Sequence, residues 1–212
     1  MSANTIFLLS PANASGVRGR MVMSERASFP VAAALRSPEG APIGEVFSFL
    51  SGLYFRGKIS YARAFAAPPD PESPVSGAGA FVITPTAGLR AADTPVTIDA
   101  LRAFAAVDID AANPLYRRPL ERSATALAKD IGDCDVVLLG SIASAKYVDV
   151  LSGIFGERLL FPSDFVGRGD MSRGGLLLRA VAAGEELAYI PVLGAMRHGQ
   201  RPPKLDPKTR PI

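Results

Sequence analysis

Cysteine and histidine are almost absent from this sequence. Its 212 residues include one cysteine, Cys134, and one histidine, His198. A single cysteine excludes an internal disulfide and a cysteine-rich zinc site. A single histidine excludes histidine-rich metal sites and leaves little room for a Ser-His-Asp hydrolase. We therefore expect a protein that uses no metal and no cofactor.

Long hydrophobic runs are also lacking. No stretch approaches the roughly 18 uninterrupted apolar residues that a membrane-spanning helix needs. The apolar run within residues 1–16 is short and follows no cationic segment, so it predicts a first β-strand rather than a signal peptide. Because 48% of the residues are hydrophobic and the mean hydropathy is +0.21, the composition is typical of a folded domain. We expect a cytoplasmic protein with no membrane partner.

Positive charge is concentrated in the last part of the chain. The formal net charge is +3. Residues 195–212 contain five basic residues and one acid, which is a net charge of +4, while 18 basic and 19 acidic residues leave residues 1–194 at −1. Four prolines accompany these charges. We predict a basic, proline-rich tail that is either simply solvated or adds non-specific affinity for phosphate.

Short apolar runs alternate with stretches of helical length along residues 1–194. The runs are apolar at nearly every position, as in strands that are buried on both faces. This pattern predicts one α/β domain with a central mixed or largely parallel sheet of about five strands and helices on both faces. The predicted strands are residues 6–9, 80–84, 136–139, 159–161 and 187–190. The predicted helices are residues 26–36, 43–65, 98–107, 115–131, 145–155 and 172–183.

Residues 43–65 have two interpretations. Two amphipathic pieces flank a basic, glycine-bearing break near Arg56-Gly57-Lys58. A helix-hairpin-helix-like element would place such a turn against a phosphate backbone, with Arg56 and Lys58 adding charge. The alternative is a long core helix, and the spacing favours it; the residues on its buried face would be Phe47, Leu50, Leu53 and Tyr54. Residues 66–79, rich in proline and glycine, predict an exposed loop.

Polar loops follow the predicted strands that end at residues 9, 84, 139 and 161. All four loops are rich in Ser, Thr, Gly, Asn and Arg. Because ligands of such sheets bind at the carboxyl ends of the strands, we predict that these loops share a pocket. Ser10 and Asn13, after the first strand, are predicted ligand contacts.

Residues 165–175 are the most informative of these loops. Two glycines, Gly174 and Gly175, fall in the first turn of the predicted helix, where glycine is unfavourable, which suggests close approach of a ligand or of another backbone. Asp170 or Ser172 is predicted to cap the helix. With the helix dipole, the two arginines of this loop make a phosphate or carboxylate site; the alternative is a glycine-rich connection with solvated arginines. The predicted contacts are Arg168, Asp170, Ser172 and Arg173.

Residues 140–149 follow a strongly apolar strand and open a helix. Lys146 is a candidate phosphate contact, and it is a candidate nucleophile or base if it is buried. The alternative is an exposed lysine near a helix start. No dinucleotide-binding or P-loop glycine pattern is present. The other predicted contacts in this segment are Ser141, Ser144 and Tyr147.

A stretch of acidic residues lies in the middle of the chain. A carboxylate pair can hold Mg²⁺ or transfer protons. Solvated loop charges and helix caps are the favoured interpretation, and no metal site is predicted. The residues are Asp93, Asp99, Asp108 and Asp110.

Several segments also share order and character with one known family. Ser10-Pro11-Ala12 follows the first strand, and residues 52–65 form a predicted helix. Residues 81–105 contain a strand, a Gly-Leu turn and a following helix. Residues 135–147 contain a strand and a Ser-x-x-Tyr junction that ends at Tyr147. The most specific segment is RGDMSRG at residues 168–174. Together they resemble the YaaA family of bacterial peroxide-stress proteins, whose motifs include Ser-Pro-Ala-Lys and Arg-Gly-x-Met-Ser-Arg. Asn13 and Asp149 stand where the family has lysines.

The resemblance implies a mixed α/β fold with a basic cleft, and DNA binding aided by a helix-hairpin-helix in the response to oxidative damage. Similar domains occur in proteins that modify deazaguanine bases, which implies a nucleobase-sized pocket. Three functions follow as hypotheses: a nucleic-acid-binding stress protein, an enzyme acting on a small nucleobase, nucleoside or phosphorylated metabolite, or a non-catalytic partner-binding subunit. The first is favoured, so the expected partner is nucleic acid or a nucleotide-like small molecule.

Overall fold

A computed structural model describes residues 4–143, 145–196, 199–200, 202–203 and 205. Eight strands are present in that part of the chain, six of them in one central sheet. The central strands are β1 Thr5–Leu9, β3 Ala80–Thr84, β4 Gly88–Ala91, β6 Asp135–Leu139, β7 Leu159–Pro162 and β8 Tyr189–Pro191. The two others, β2 Ala41–Pro42 and β5 Pro95–Val96, pair with each other.

Eight α-helices lie between these strands in the described residues. None of the described helices is long and apolar enough to pass through a bilayer. The helices are α1 Val17–Met23, α2 Pro30–Arg36, α3 Ile43–Ser51, α4 Leu53–Phe65, α5 Ile98–Ala105, α6 Pro114–Asp130, α7 Ala145–Phe155 and α8 Asp170–Ala183.

The strand order of the central sheet is β4-β3-β1-β6-β7-β8. The four inner strands are parallel, and the edge strands β4 and β8 are antiparallel to their neighbours. This confirms the predicted α/β fold with a mixed, largely parallel sheet. The sheet has six strands rather than about five because β4, Gly-Leu-Arg-Ala, is a half-exposed edge strand without an apolar run.

The two central strands form the middle of the hydrophobic core. Residues 6–9 of β1 and residues 136–139 of β6 are completely buried and pair in parallel, with Leu9 beside Leu139. A strand buried on both faces has no polar alternation, which is why both strands were visible in the sequence. Their carboxyl ends lie side by side at the same edge of the sheet.

Helices cover both faces of the sheet. Helix α4 contacts β1, β3 and α8, whereas α6 contacts β3, β4 and α7. The chain runs from β1 to β3 in one direction along the sheet and from β3 to β6 and on to β7 in the other. Because crossovers between parallel strands are almost always right-handed, connections that run in opposite directions are expected to cover opposite faces.

The break within residues 43–65 lies at Gly52, not near Arg56-Gly57-Lys58. Gly52 has φ +65°, a left-handed conformation that favours glycine, and it separates α3 from α4. Arg56 and Lys58 therefore lie within α4, and the predicted basic turn is wrong. Lys58 is almost fully buried while Arg56 is exposed. The sequence marked the wrong glycine, because Gly57 serves packing rather than a turn.

Gly57 of α4 and Gly174 of α8 allow these two helices to cross in direct backbone contact. A Cβ atom at Gly57 would lie 2.8 Å from the carbonyl oxygen of Gly174, and one at Gly174 would lie 2.8 Å from Cα of Tyr54. The close approach expected at Gly174 is therefore made by another backbone. The expected capping by Asp170 or Ser172 is wrong, because α8 begins at Asp170 with Gly169 as N-cap and no side-chain cap.

The remaining predicted segments have mixed outcomes. Residues 66–79 contain no helix or strand beyond one bridge between Ala67 and Thr5, in agreement with a loop. Helix α1 was not predicted; its sequence, VRGRMVM, has two arginines and a buried glycine in place of an apolar stripe. The basic residues of the predicted tail, Arg197, Arg201, Lys204, Lys208 and Arg210, lie outside the described residues.

Replacing Gly174 by alanine is expected to lower the free energy of unfolding by about 1–3 kcal/mol, because the new Cβ has no room against Tyr54 Cα. The matched variant Gly175→Ala meets only Leu205 Cδ1, at 3.4 Å, and gains helix propensity, so it should be neutral or stabilise by up to about 1 kcal/mol. Urea denaturation of both variants measures the difference, and equal losses would contradict a direct helix crossing.

Candidate functional site

A cleft of about 620 Å³ opens where β1 and β6 end. The backbone amide of Ser10 donates to the carbonyl oxygen of Leu139 at 3.2 Å, which holds the first residue after β1 beside the end of β6. From this point the chain leaves β1 towards β3 and leaves β6 towards β7, on opposite sides. Such a reversal of strand order is where open α/β sheets bind their ligands.

Lys58 reaches from α4 to the bottom of this cleft. Its side chain is 1% exposed, and Nζ donates to the carbonyl oxygen of Ser10 at 2.6 Å and to Ser10 Oγ at 2.9 Å. The rings of Tyr54 and Phe55 lie 4.5 and 4.6 Å from Nζ, a distance at which an aromatic ring stabilises a cation. The amine is thus held by two oxygens and two rings at the end of β1.

Burial makes Lys58 a proton-exchanging group at neutral pH. Desolvation lowers its pKa from 10.5 to about 7; the carboxylate of Asp170 acts in the opposite direction and the guanidinium of Arg173 adds to the lowering. No carboxylate lies within 4 Å of Nζ among the residues that the structure describes. Because the amine and the ammonium forms are both populated near pH 7, Lys58 can both accept and donate a proton there.

Ser10 and Tyr147 meet above Gly140, the residue that follows β6. A Cβ at Gly140 would lie 2.8 Å from Ser10 Cβ and 2.9 Å from Tyr147 Oη, so only glycine leaves room for both side chains. Tyr147 Oη donates to the carbonyl oxygen of Ser141 at 2.9 Å. Burial raises the pKa of Tyr147, and its contact with Ser10 partly opposes that rise. Both side chains line the cleft.

Tyr54 also lines the cleft, one helical turn before Lys58. The side chain is 5% exposed, and its hydroxyl makes no hydrogen bond of normal geometry within the described part of the chain, although the guanidinium of Arg173 is near enough to lower its pKa. Burial raises its pKa strongly, so the phenol stays protonated. A buried hydroxyl without a partner is costly and uncommon. A polar atom of a bound molecule would satisfy it.

The two arginines of the β7–α8 connection hold that connection rather than line the cleft. Arg173 donates through Nε and Nη2 to the carbonyl oxygen of Phe165 at 3.2 and 3.0 Å, and its Nη1 lies 3.6 Å from Asp170 Oδ1. Arg168 donates through Nε to the carbonyl oxygen of Asp164 at 2.9 Å and through Nη1 to Ser172 Oγ at 3.3 Å. Asp170, the first residue of α8, has a mostly exposed side chain and does line the cleft.

The other predicted residues fall in three places. Asn13, Ser141 and Lys146 line the same cleft; Asn13 Oδ1 accepts from Ser15, and Lys146 is exposed. Arg56 lines a neighbouring hollow with Arg18. Ser144 lies outside the described residues.

Four predicted polar loops contribute unequally to the cleft. Residues 10–15 and 141–147 supply most of its polar lining, Pro85 represents the loop after β3, and Asp170 represents the loop after β7. Tyr54 was not predicted, and Lys58 was predicted only as a surface phosphate contact. Their spacing of four residues, which places both on the aromatic, buried face of α4, was the available signal.

Within the described residues no group of three or more His, Cys, Asp or Glu side chains is arranged to hold a metal ion. The acidic residues considered from the sequence are engaged separately: Asp93 pairs with Arg63 and Asp99 pairs with Arg102, while Asp110 accepts from the amide of Ala112. Asp108 is exposed at the rim of the cleft.

Comparison of the chain with protein-family models, with curated proteins and with solved structures found no match. The resemblance to the YaaA family therefore stays a prediction that depends on the short motifs described above.

The pH dependence of stability should report the buried amine of Lys58. Above about pH 7 the folded state has released a proton that the unfolded state keeps up to about pH 10.5, so the free energy of unfolding rises with pH in this window. The free energy of unfolding of wild type should therefore rise relative to that of Lys58→Met by up to about 1.4 kcal/mol per pH unit between pH 7 and 9.

Urea denaturation at several pH values measures this difference. Lys129→Met, which removes an exposed lysine in the last turn of α6, should follow the wild-type curve. Parallel curves for wild type and Lys58→Met would show that Lys58 stays charged in the folded protein.

Proposed function

We propose that the protein is an enzyme whose active site is the cleft at the ends of β1 and β6, and that it acts on a small polar molecule of nucleobase or nucleoside size. The observation that carries this proposal is Lys58, a buried amine without a contacting carboxylate among the described residues. Burying an unpaired amine costs stability. Groups with such perturbed protonation cluster at functional sites.

The cleft has the size and lining of a small-molecule site. Its volume of about 620 Å³ lies within the range of roughly 300–1,000 Å³ typical of ligand pockets. Hydroxyl groups of Ser10, Tyr54 and Tyr147 and the amide of Asn13 offer donors and acceptors that suit the edge of a heterocycle, and Phe104 offers an apolar surface. The resemblance to the YaaA family supports a guest of this size.

Nucleic-acid binding is the alternative, and the geometry supports it less well. The guanidinium groups of Arg168 and Arg173 are engaged by backbone carbonyl oxygens, and the basic turn expected between two helices is part of α4. Residues 1–194 carry a net charge of −1, whereas DNA-binding domains of this size present a basic surface. Exposed Arg56 beside Arg18 is the arrangement that favours the alternative.

A thermal-shift screen with nucleobases, nucleosides, nucleotides and their esters tests the proposal, with duplex and junction DNA as further probes. We expect one chemical class of small molecule to raise Tm, and Lys58→Met to reduce that shift while Lys129→Met retains it. If no small molecule shifts Tm and DNA binds with a steep dependence on salt concentration, the protein is a nucleic-acid-binding protein instead.

Tyr54→Phe should separate binding from stability. Loss of an unpartnered buried hydroxyl removes a desolvation cost, so the unliganded variant should be as stable as wild type or about 1 kcal/mol more stable. Affinity for a molecule found in the screen should fall about five- to tenfold, because one hydrogen bond is lost. Isothermal titration calorimetry and urea denaturation give the two quantities.

Tyr116→Phe is the matched control for this variant. Tyr116 on α6 is fully buried and its hydroxyl also lacks a partner in the described part of the chain, but it does not line the cleft. Its substitution should affect stability in the same direction and leave affinity unchanged. Equal losses of affinity in both variants would contradict a ligand contact by Tyr54.

A further inference from the structure

We infer that Ser10 and Lys58 form a nucleophile–base pair, in which Ser10 Oγ attacks the carbonyl carbon of a small ester or amide and Lys58 accepts the hydroxyl proton. This inference rests on the proposed function, since it names the reaction of the same cleft. It requires a serine that faces the cleft, an amine in hydrogen-bond contact with that serine, and an arrangement that holds both.

The order of burial assigns the two roles. Ser10 is 7% exposed and Lys58 is 1% exposed, and both line the cleft. A substrate in the cleft therefore meets the serine before the amine. This order favours attack by the serine oxygen with the amine behind it as base, rather than direct attack by the amine on a carbonyl group.

The contact between the two side chains has the geometry of an activated nucleophile. Lys58 Nζ lies 2.9 Å from Ser10 Oγ, within the range that links a nucleophile to its base. The second contact, from Nζ to the carbonyl oxygen of Ser10 at 2.6 Å, takes up one N–H of the amine. In the neutral form of Lys58 its lone pair is then free to accept the proton of the Ser10 hydroxyl.

The surroundings of Lys58 support a neutral amine near pH 7. Burial lowers its pKa to about 7. The charged groups that act on it are the carboxylate of Asp170 and the guanidinium of Arg173, both from α8. Tyr54 of α4 and Tyr147 of α7 are the titratable groups beside the pair, and burial raises the pKa of both phenols, so neither becomes a competing anion at this pH.

Ser10 is fixed by the sheet rather than by a mobile loop. Its amide donates to the carbonyl oxygen of Leu139, its own carbonyl oxygen accepts from Lys58, and Gly140 leaves room for its side chain. A nucleophile that is held before substrate binds needs little reorganisation in the reaction.

The reaction balances with water as the second substrate. Lys58 accepts the proton of Ser10 Oγ–H as the Oγ–C bond forms, and it gives that proton to the leaving nitrogen or oxygen as the C–N or C–O bond breaks. Water then attacks the acyl-serine, Lys58 accepts a proton from water, and the proton returns to Ser10 Oγ as the acid product leaves. The hydroxyl of Tyr54, unpartnered among the described residues, is a donor available to the developing oxyanion.

An active-site-directed electrophile tests the pair without a known substrate. Reaction of the whole protein with an alkyl fluorophosphonate forms an Oγ–P bond and releases fluoride, and intact-mass and peptide mass spectrometry locate the adduct. We expect one adduct on Ser10, with a rate that rises between about pH 6 and 8 as Lys58 loses its proton. Ser10→Ala should give no adduct at this position.

Two lysine variants separate base catalysis from a fixed positive charge. Lys58→Met and Lys58→Arg should both slow labelling by roughly 10²–10⁴-fold, the range for loss of a general base, although arginine keeps the charge. Ser163→Ala, a serine after β7 that bonds to the carbonyl oxygen of Ala188 outside the cleft, should label at the wild-type rate. Circular dichroism shows which variants fold. If a lysine variant does not fold, the pH dependence of the labelling rate in wild type, with Ser10→Ala as the background control, tests whether Lys58 is the base.

Other outcomes overturn the inference in distinguishable ways. An unlabelled Ser10 in a protein that still binds a small molecule in the thermal-shift screen removes the nucleophile–base pair and leaves the proposed function standing. A pH-independent rate, or full labelling in Lys58→Arg, removes Lys58 as the base. Trapping of an aldehyde on Lys58 by borohydride would make the amine itself the nucleophile, and failure of both probe and ligands would remove the active site altogether.

Discussion

The contact of Lys58 with both oxygens of Ser10 determines what the cleft can do. It links α4, which covers one face of the sheet, to the end of the central strand β1. Both partners are almost fully buried, so bulk water competes only weakly with the contact. A methionine or leucine in this position would fill the same space with a smaller loss of folding free energy, because a lysine must lose the water bound to its amine when it is buried. A buried amine that opens onto a cavity is therefore the observation on which the proposed chemistry of the cleft rests.

Glycine residues set the distances on which this contact depends. Gly57 and Gly174 bring α4 and α8 into backbone contact, and Gly57 immediately precedes Lys58. Gly140, at the end of β6, has no side chain and therefore leaves room for the side chains of both Ser10 and Tyr147. Arg173 adds to the arrangement by tying α8 to the carbonyl oxygen of Phe165. Lys58 and Tyr147 thus stand on helices and Ser10 directly follows a strand, and small residues behind them decide how closely they approach.

Much of the fold was readable because its inner strands are apolar at every position, as in residues 6–9 and 136–139. The half-exposed strand β4 and the short helix α1 were not readable, since neither carries an apolar run or stripe. The meeting of polar loops at one edge of the sheet could be predicted from the α/β topology, since parallel strands end at the same edge. The sequence predicted Lys58 in a basic surface turn, because a basic residue beside a glycine is typical of such turns. Only the packing of α8 against Gly57 shows that this part of α4 is buried. The guanidinium groups of Arg168 and Arg173 turned inward because the β7–α8 loop leaves carbonyl oxygens that need donors.

The helix crossing at Gly57 and Gly174 also bears on how related chains could be recognised. An enlarged side chain on either helix would push Lys58 away from Ser10, so the two glycines are constrained jointly although they lie far apart in the chain. A fingerprint of Tyr-x-x-Gly-Lys on one helix, glycine early in a later helix, and serine and glycine directly after two paired strands would survive when the rest of the surface has diverged. Searches for distant homologues of this chain would gain more from that spaced pattern than from overall identity.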